Sequence, residues 1–115
     1  MMDRGAWAKE VPVAIIICDT EGVVLEMNDK AVSNYAASGG AGLVGKNLLD
    51  CHPDPARRKL NAIMEDRRVN AYTLEKKGIK KLIYQMPWFD QGEYAGFAEI
   101  SMEIPLEMPH YIRKG

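Results

Sequence analysis

Residues 11–29, VPVAIIICDTEGVVLEMND, constrain the fold more than any other stretch of this chain. Val11 to Cys18 is almost wholly apolar and largely β-branched, the composition of a strand buried on both faces. Asp19-Thr20-Glu21-Gly22 supplies turn chemistry, with Gly22 available for a positive φ. Val23, Leu25 and Met27 then alternate with Glu26 and Asn28 at a period of two, so a second strand follows at once. Asn28 or Asp29 offers the side-chain oxygen that caps a helix. The stretch predicts strand, tight turn, strand and helix start, and it contains no catalytic motif.

The flanking sequence extends this pattern. Residues 1–10 read as a leader in which Ala6 to Glu10 forms one helical turn, with Trp7 on its apolar side. Ala31, Val32, Tyr35 and Ala36 make a helical stripe over residues 29–37. Three glycines in Ser38-Gly39-Gly40-Ala41-Gly42 end it and predict a flexible connection. That segment lacks the Lys-Ser or Lys-Thr pair of a phosphate-cradling loop. Leu43 to Asp50 predicts a loop with one short helical turn. Asp54-Pro55 predicts a helix start, with aspartate as cap and proline in the first position. Ala56, Leu60, Ile63 and Met64 mark the buried stripe of that helix, which runs to about Arg67.

From Asn70 onward the pattern is strand-like. Asn70 to Lys76 and Ile79 to Phe89 flank a Lys77-Gly78 hairpin turn, and Asp90-Gln91-Gly92 leads into Glu93–Ile104. In this last strand Tyr94, Gly96, Ala98, Ile100, Met102 and Ile104 alternate with Glu93, Glu99, Ser101 and Glu103 among others. One face is expected to be buried and the other partly wet. A closing antiparallel meander predicts an α+β fold, not a doubly wound sheet.

Composition narrows the function classes. The 115 residues suit one domain, and 15 Lys and Arg nearly balance 16 Asp and Glu, unlike the basic surface of a general nucleic-acid binder. The Arg57-Arg58-Lys59 cluster reads as a solvated helix face. No apolar run approaches the ~20 residues of a membrane span, and no signal peptide is evident. Two cysteines make no disulfide framework, so a reducing cytoplasm is the expected compartment.

The order of elements, over roughly residues 8–104, resembles the PAS family of sensory domains. Pro12 stands in place of the proline in that family's opening strand, and Asp19-Thr20-Glu21-Gly22 is similar to its D-x-x-G turn. Asn28 resembles the asparagine that starts its first helix, and Leu43-Val44-Gly45-Lys46-Asn47 its hxGk segment. Gly96 within Tyr94-Ala95-Gly96-Phe97 resembles the glycine at the start of its last strand. The resemblance implies a five-stranded antiparallel sheet with short helices on one face and a cavity between them. It divides the chain into a leader at 1–10, the PAS domain at 11–104 and an irregular tail at 105–115. Glu103-Ile104-Pro105 replaces the family's common Asp-Ile-Thr ending, and Pro105 and Pro109 interrupt any continuous helix. An output such as a histidine kinase, cyclase or transcription regulator is expected outside this chain.

Several residues are candidates for the site. Tyr35, His52, Leu60, Ile63, Met64, Tyr72, Tyr84 and Met86 are expected to line a ligand pocket, with Trp88 on the same strand face as Tyr84 and Met86. Asn70 and Gln85 are candidate polar contacts. Alternation alone leaves open which strand face is inward. Cys51-His52-Pro53 is the one triplet with evident metal chemistry, and the resemblance implies haem ligation by His52 as an alternative function. Cys18, Cys51, His52 and His110 lack the spacing of a zinc site. Leu48 stands where a light-sensing flavin domain of this family carries its cysteine, although flavin held without a covalent bond remains open. Trp7, Val13, Ile15 and Ile17 are the expected dimer or partner surface, the basis of a ligand-free interaction module as a further alternative. Nothing marks an enzyme: there is no Ser-His-Asp signature and no H-E-x-x-H.

Overall fold

The structure is a computed structural model that describes residues 5–115, the side chain of Cys51 excepted. A short helix α1 (Ala6–Lys9) leads into strands β1 (Ala14–Cys18) and β2 (Val24–Met27). Helix α2 (Asp29–Asn34) is followed by three single 3₁₀ turns at Ala36–Ser38, Gly40–Leu43 and Leu48–Cys51. Helix α3 (Ala56–Asp66) then precedes the meander β3 (Asn70–Lys76), β4 (Ile79–Asp90) and β5 (Glu93–Ile104). The strands form one antiparallel sheet in the order β2-β1-β5-β4-β3. The first and last hairpins of the sequence therefore meet at the β1–β5 pair, in the middle of the sheet.

The opening hairpin owes its shape to two side chains. Asp19 Oδ1 accepts from the backbone nitrogens of Glu21 and Val23 at 2.9 and 3.0 Å, and Gly22 takes φ +91° to close the turn. Asn28 is buried, and its amide makes four hydrogen bonds. It accepts from Ile15 N and Ala31 N at 2.9 and 3.1 Å, and donates to Ala8 O and Val13 O at 2.9 and 2.7 Å. Asn28, not Asp29, is thus the cap of α2, and it also fastens α1 to the start of β1.

Both later turns put two residues in the left-handed region: Lys77 and Gly78 at φ 53° and 79°, Gln91 and Gly92 at φ 52° and 84°. This is the backbone a two-residue hairpin requires. Within β5, Gly96 lies so close to β1 that a Cβ there would collide with the Cys18 carbonyl and the Asp19 backbone. Trp88, opposite Gly96, donates its indole Nε1 to Cys18 O at 2.8 Å.

One face of the sheet carries the core. Ala14, Ile16 and Cys18 of β1 pack with Val24, Phe97, Ala31 of α2, and Leu60, Ile63 and Met64 of α3. Four expectations need correction. Strand β1 covers only Ala14–Cys18, and it buries one face fully while Ile15 and Ile17 on the other are half-buried. The helix predicted over 29–37 stops at Asn34, and the glycine segment folds into 3₁₀ turns. Asp54 does not cap α3: Pro55 occupies the cap position, with no side-chain hydrogen bond there, and Arg67 ends the helix in the left-handed conformation.

The fourth correction concerns β4 and β5. Register places Phe97 opposite Cys18, Glu99 opposite Ile16 and Ser101 opposite Ala14, so these three lie on the helix-covered face. Ala98, Ile100 and Met102, expected to face the core, lie on the outer face beside Ile15 and Ile17. Leu82, Tyr84, Met86 and Trp88 lie opposite Met102, Ile100, Ala98 and Gly96, so they share that outer face.

Candidate functional site

A cleft of about 440 Å³ opens between α3, the end of α2 and the inner face of the β3–β4–β5 meander. Its walls are Tyr35, His52, Ala56, Lys59, Leu60 and Ile63, and its floor is Asn70, Tyr72, Gln85 and Glu99. The size is within the usual range for small-molecule sites. Helical spacing explains the roof: Ala56, Lys59, Leu60 and Ile63 recur on one side of α3, and the last two are buried. Register explains the floor, because Asn70 lies opposite Gln85, and Gln85 opposite Glu99.

These three polar side chains form a hydrogen-bonded row across three strands. Gln85 Nε2 donates to Glu99 Oε1 at 2.7 Å, and Asn70 Nδ2 donates to Gln85 Oε1 at 2.9 Å. Tyr35 Oη donates to the other carboxylate oxygen of Glu99 at 3.1 Å. Burial first, and then the charge of Glu99, push the Tyr35 hydroxyl far above the usual phenol range. The same two causes raise Tyr72. Cys18 is buried nearby, and desolvation followed by Glu99 and Asp19 pushes its thiol up to about 12. The thiol is therefore inert, as a core cysteine.

Tyr35 also borders two smaller cavities. One, of about 200 Å³, lies against Ile83, Glu99 and Ser101, and the other, of about 180 Å³, lies against Val24, Leu43 and His52. Tyr35 is common to all three linings, while Glu99 is shared by the cleft and the first of these spaces and His52 by the cleft and the second. A larger depression of about 860 Å³ lies at the other end of α3, bordered by Thr20, Glu65, Arg67 and Tyr94. There Arg67 stacks 4.1 Å over the Tyr94 ring, and Tyr94 Oη donates to Met64 O at 3.4 Å. That depression is wide and open, without a buried polar floor, so the smaller cleft is the stronger candidate.

Of the residues named from sequence, Tyr35, His52, Leu60, Ile63 and Tyr72 come together in the cleft, with Asn70 and Gln85 as its polar contacts. Met64 lies instead in the core and against the open depression. Tyr84 and Met86 are on the opposite side of the sheet and do not reach the cleft, because β4 turns Ile83 and Gln85 inward. Trp88 is on that outer side as well. Trp7 is 64% exposed on α1, which is tied to α2 through a 3.0 Å Lys9–Asp29 ion pair, and is not part of the sheet. Val13 lies one residue before β1, half-buried, whereas Ile15 and Ile17 are on the outer face. Glu99, Ala56 and Lys59 escaped the sequence reading as site residues.

His52 is held by its own backbone turn, with Nδ1 2.7 Å from Leu48 O. A carbonyl only accepts, so Nδ1 carries a proton, and in the neutral ring Nε2 holds the lone pair. That arrangement suits a metal-ligating imidazole. The rest of the cleft does not suit haem: a carboxylate and two amides form the floor on which an apolar macrocycle would lie. Cys51, named with His52, has its side chain outside the described residues. Among the described residues no three His, Cys, Asp or Glu side chains cluster to hold a metal. No helix among them is long and apolar enough to cross a membrane.

No family model matches the sequence, and no curated protein matches it. Solved structures do match the fold. The C-terminal domain of a Streptococcus mutans protein superposes with a TM-score of 0.69 at 18% identity, over 83% of this chain and 78% of that one. The Aer2 receptor of Vibrio cholerae, described as a dual PAS-heme oxygen sensor, gives 0.61 at 23% identity, over 80% and 94%. The PAS domain of BvgS from Bordetella pertussis gives 0.61 at 21% identity, over 84% and 79%. With the β2-β1-β5-β4-β3 sheet, its helices on one face and the cleft between them, this chain has the PAS fold.

Proposed function

We propose that this chain is a sensory module of signal transduction that binds a small molecule in the cleft under α3, and is not itself a catalyst. The observation that carries this reading is the satisfied polar row Asn70–Gln85–Glu99, placed on the floor of a 440 Å³ cleft between the sheet and its helices. A polar row kept on the floor of an open cleft gives a small molecule directional hydrogen-bonding partners that an apolar filling would not. The likeness to sensor proteins such as the Aer2 receptor supports the signalling context.

The outer sheet face supports the second half of the reading. Ile15, Ile17, Leu82, Tyr84, Met86, Ile100 and Met102 share the outer face, half-buried except for the exposed Tyr84. A second copy or an output domain (a histidine kinase, a cyclase or a transcription regulator) docked there would sense a change in β5, which carries Glu99 inward and Ile100 outward. Binding in the cleft would then shift the balance between two packings of the helices on the sheet. The buried free thiol of Cys18 is in keeping with a reducing, cytoplasmic setting.

Native mass spectrometry of the protein purified from its own host tests the ligand. The expected result is an additional mass that leaves on denaturation and is missing from Ala56→Trp, which fills the cleft mouth from an exposed position on α3. Bare chain alone in the wild-type preparation overturns the reading.

A further inference from the structure

The chemistry of the lining goes further than the existence of a site: it selects a class of ligand, provided the cleft is the ligand site proposed above. Glu99 sets the polarity of the whole floor. A carboxylate only accepts, so the Tyr35 hydroxyl and the Gln85 amide nitrogen both turn toward it, at 3.1 and 2.7 Å. Gln85 must then show its oxygen to β3, where Asn70 Nδ2 donates to it at 2.9 Å. Asn70 Oδ1 is left as the acceptor at the end of the row. At His52, Nδ1 donates to Leu48 O, which leaves Nε2 as the ring nitrogen available to a ligand.

The cleft therefore offers acceptors, Glu99 foremost, beside the second N–H of each amide and the Tyr72 hydroxyl. Lys59 at its edge is the one cationic side chain of the lining, and the position is exposed. Among the described residues Glu99 forms no ion pair. This half-buried carboxylate accepts from Tyr35 and Gln85, and its charge falls on two tyrosines. Burial and Glu99 together hold Tyr35 and Tyr72 as neutral phenols, and the field that disfavours phenolate favours a cation in the same place.

We propose that the cleft takes a small organic cation, a primary ammonium or guanidinium compound, with Glu99 as its counter-ion and Tyr35 and Tyr72 beside it. The cation donates N–H groups to the Glu99 carboxylate, and charge-assisted bonds to a carboxylate are the strong kind. Aromatic faces add to the attraction where they flank a cation. Lys59 at the edge disfavours a second positive charge at the mouth, so a monocation fits better than a polyamine.

Benzylammonium, benzyl alcohol and benzoate, matched in size, separate charge from shape when titrated into labelled protein and followed by NMR. Benzylammonium is expected to shift the Asn70 and Gln85 side-chain amides, with an affinity at least about tenfold above that of the other two. Glu99→Gln is expected to lose that advantage while keeping the fold, since the Gln85 and Asn70 amides can flip to serve it. The comparison of the three probes on wild type stands even if the variant does not fold. Equal or tighter binding of benzoate or benzyl alcohol, an unchanged preference in folded Glu99→Gln, or no binding of any probe overturns the cation. An anionic or neutral molecule found on the host-purified protein overturns the cation and leaves the ligand cleft standing, whereas bare chain overturns the cleft itself.

Discussion

Tyr35 stands where three cavities meet, and its hydroxyl is bonded to a carboxylate that no cation neutralises among the described residues. Its consequence is a stability that depends on alkali. A phenol whose pKa is raised by folding holds its proton more tightly in the folded chain than in the unfolded one. Its contribution is whole below the ordinary value of 10.0 and is lost as pH rises from there through the folded value. Cys18 acts in the same direction, from 9.0 to about 12. The urea midpoint of the wild type should therefore fall between about pH 8 and about pH 11, and that of Tyr35→Phe should fall less. Parallel slopes for the two proteins would contradict this account of Tyr35 and Glu99.

Each element is fixed by a few side chains, and they differ in how plainly the sequence announces them. Asn28 is the clearest case, a cap visible by its position that also joins α1, β1 and α2 through four bonds. Asn28→Ala removes a helix cap and leaves the Val13 and Ala8 carbonyls without a donor. Chemical denaturation should show a loss of about 2–4 kcal/mol; a loss under about 0.5 kcal/mol, the level of an ordinary surface change, would refute its linking role. The turns were legible too, because Lys77-Gly78 and Gln91-Gly92 have the chemistry their backbone needs. The inward face was not. Counting back from Lys77-Gly78 puts Asn70 opposite Gln85, as the structure has it. Counting back from Gln91-Gly92 puts Gln85 opposite Ala98, one residue short of the observed Glu99. The cause is a bulge: Phe89 pairs with Tyr94 and Trp88 with Gly96, so Ala95 is an extra residue on β5. A slip of one residue exchanges the two faces of a strand. Beyond the bulge, the acidic set of β5 therefore turns inward and the apolar set outward. Without that register Glu99 reads as solvent-exposed, Tyr84 and Met86 read as core, and the cleft is out of sight. Polar residues at matching heights on three successive strands were the one signal of the floor, and they are visible only once the bulge is known.

At the scale of the whole molecule the bulge gives the sheet two unlike surfaces. One faces α3 with a polar row and a cleft, and the other carries the outward apolar side chains of β1, β4 and β5. Strand β5 belongs to both, carrying Glu99 on one side and Ile100 on the other, and it pairs with β1 and β4 at the centre of the sheet. A sensor needs such an element, because a ligand changes a distant surface only through contacts that differ between two states. The central claim is that a small molecule from the host seats itself on the inner surface, over the Asn70–Gln85–Glu99 row. Titrating isotope-labelled protein with the small-molecule fraction of its host, and following the side-chain signals by NMR, tests it most directly. The account predicts saturable shifts at the Asn70 and Gln85 amides and the Tyr35 and Tyr72 rings, with Tyr84 and Met86 following only weakly. Primary shifts at Tyr84, Met86 and Ile100, with the floor amides unmoved, would contradict it.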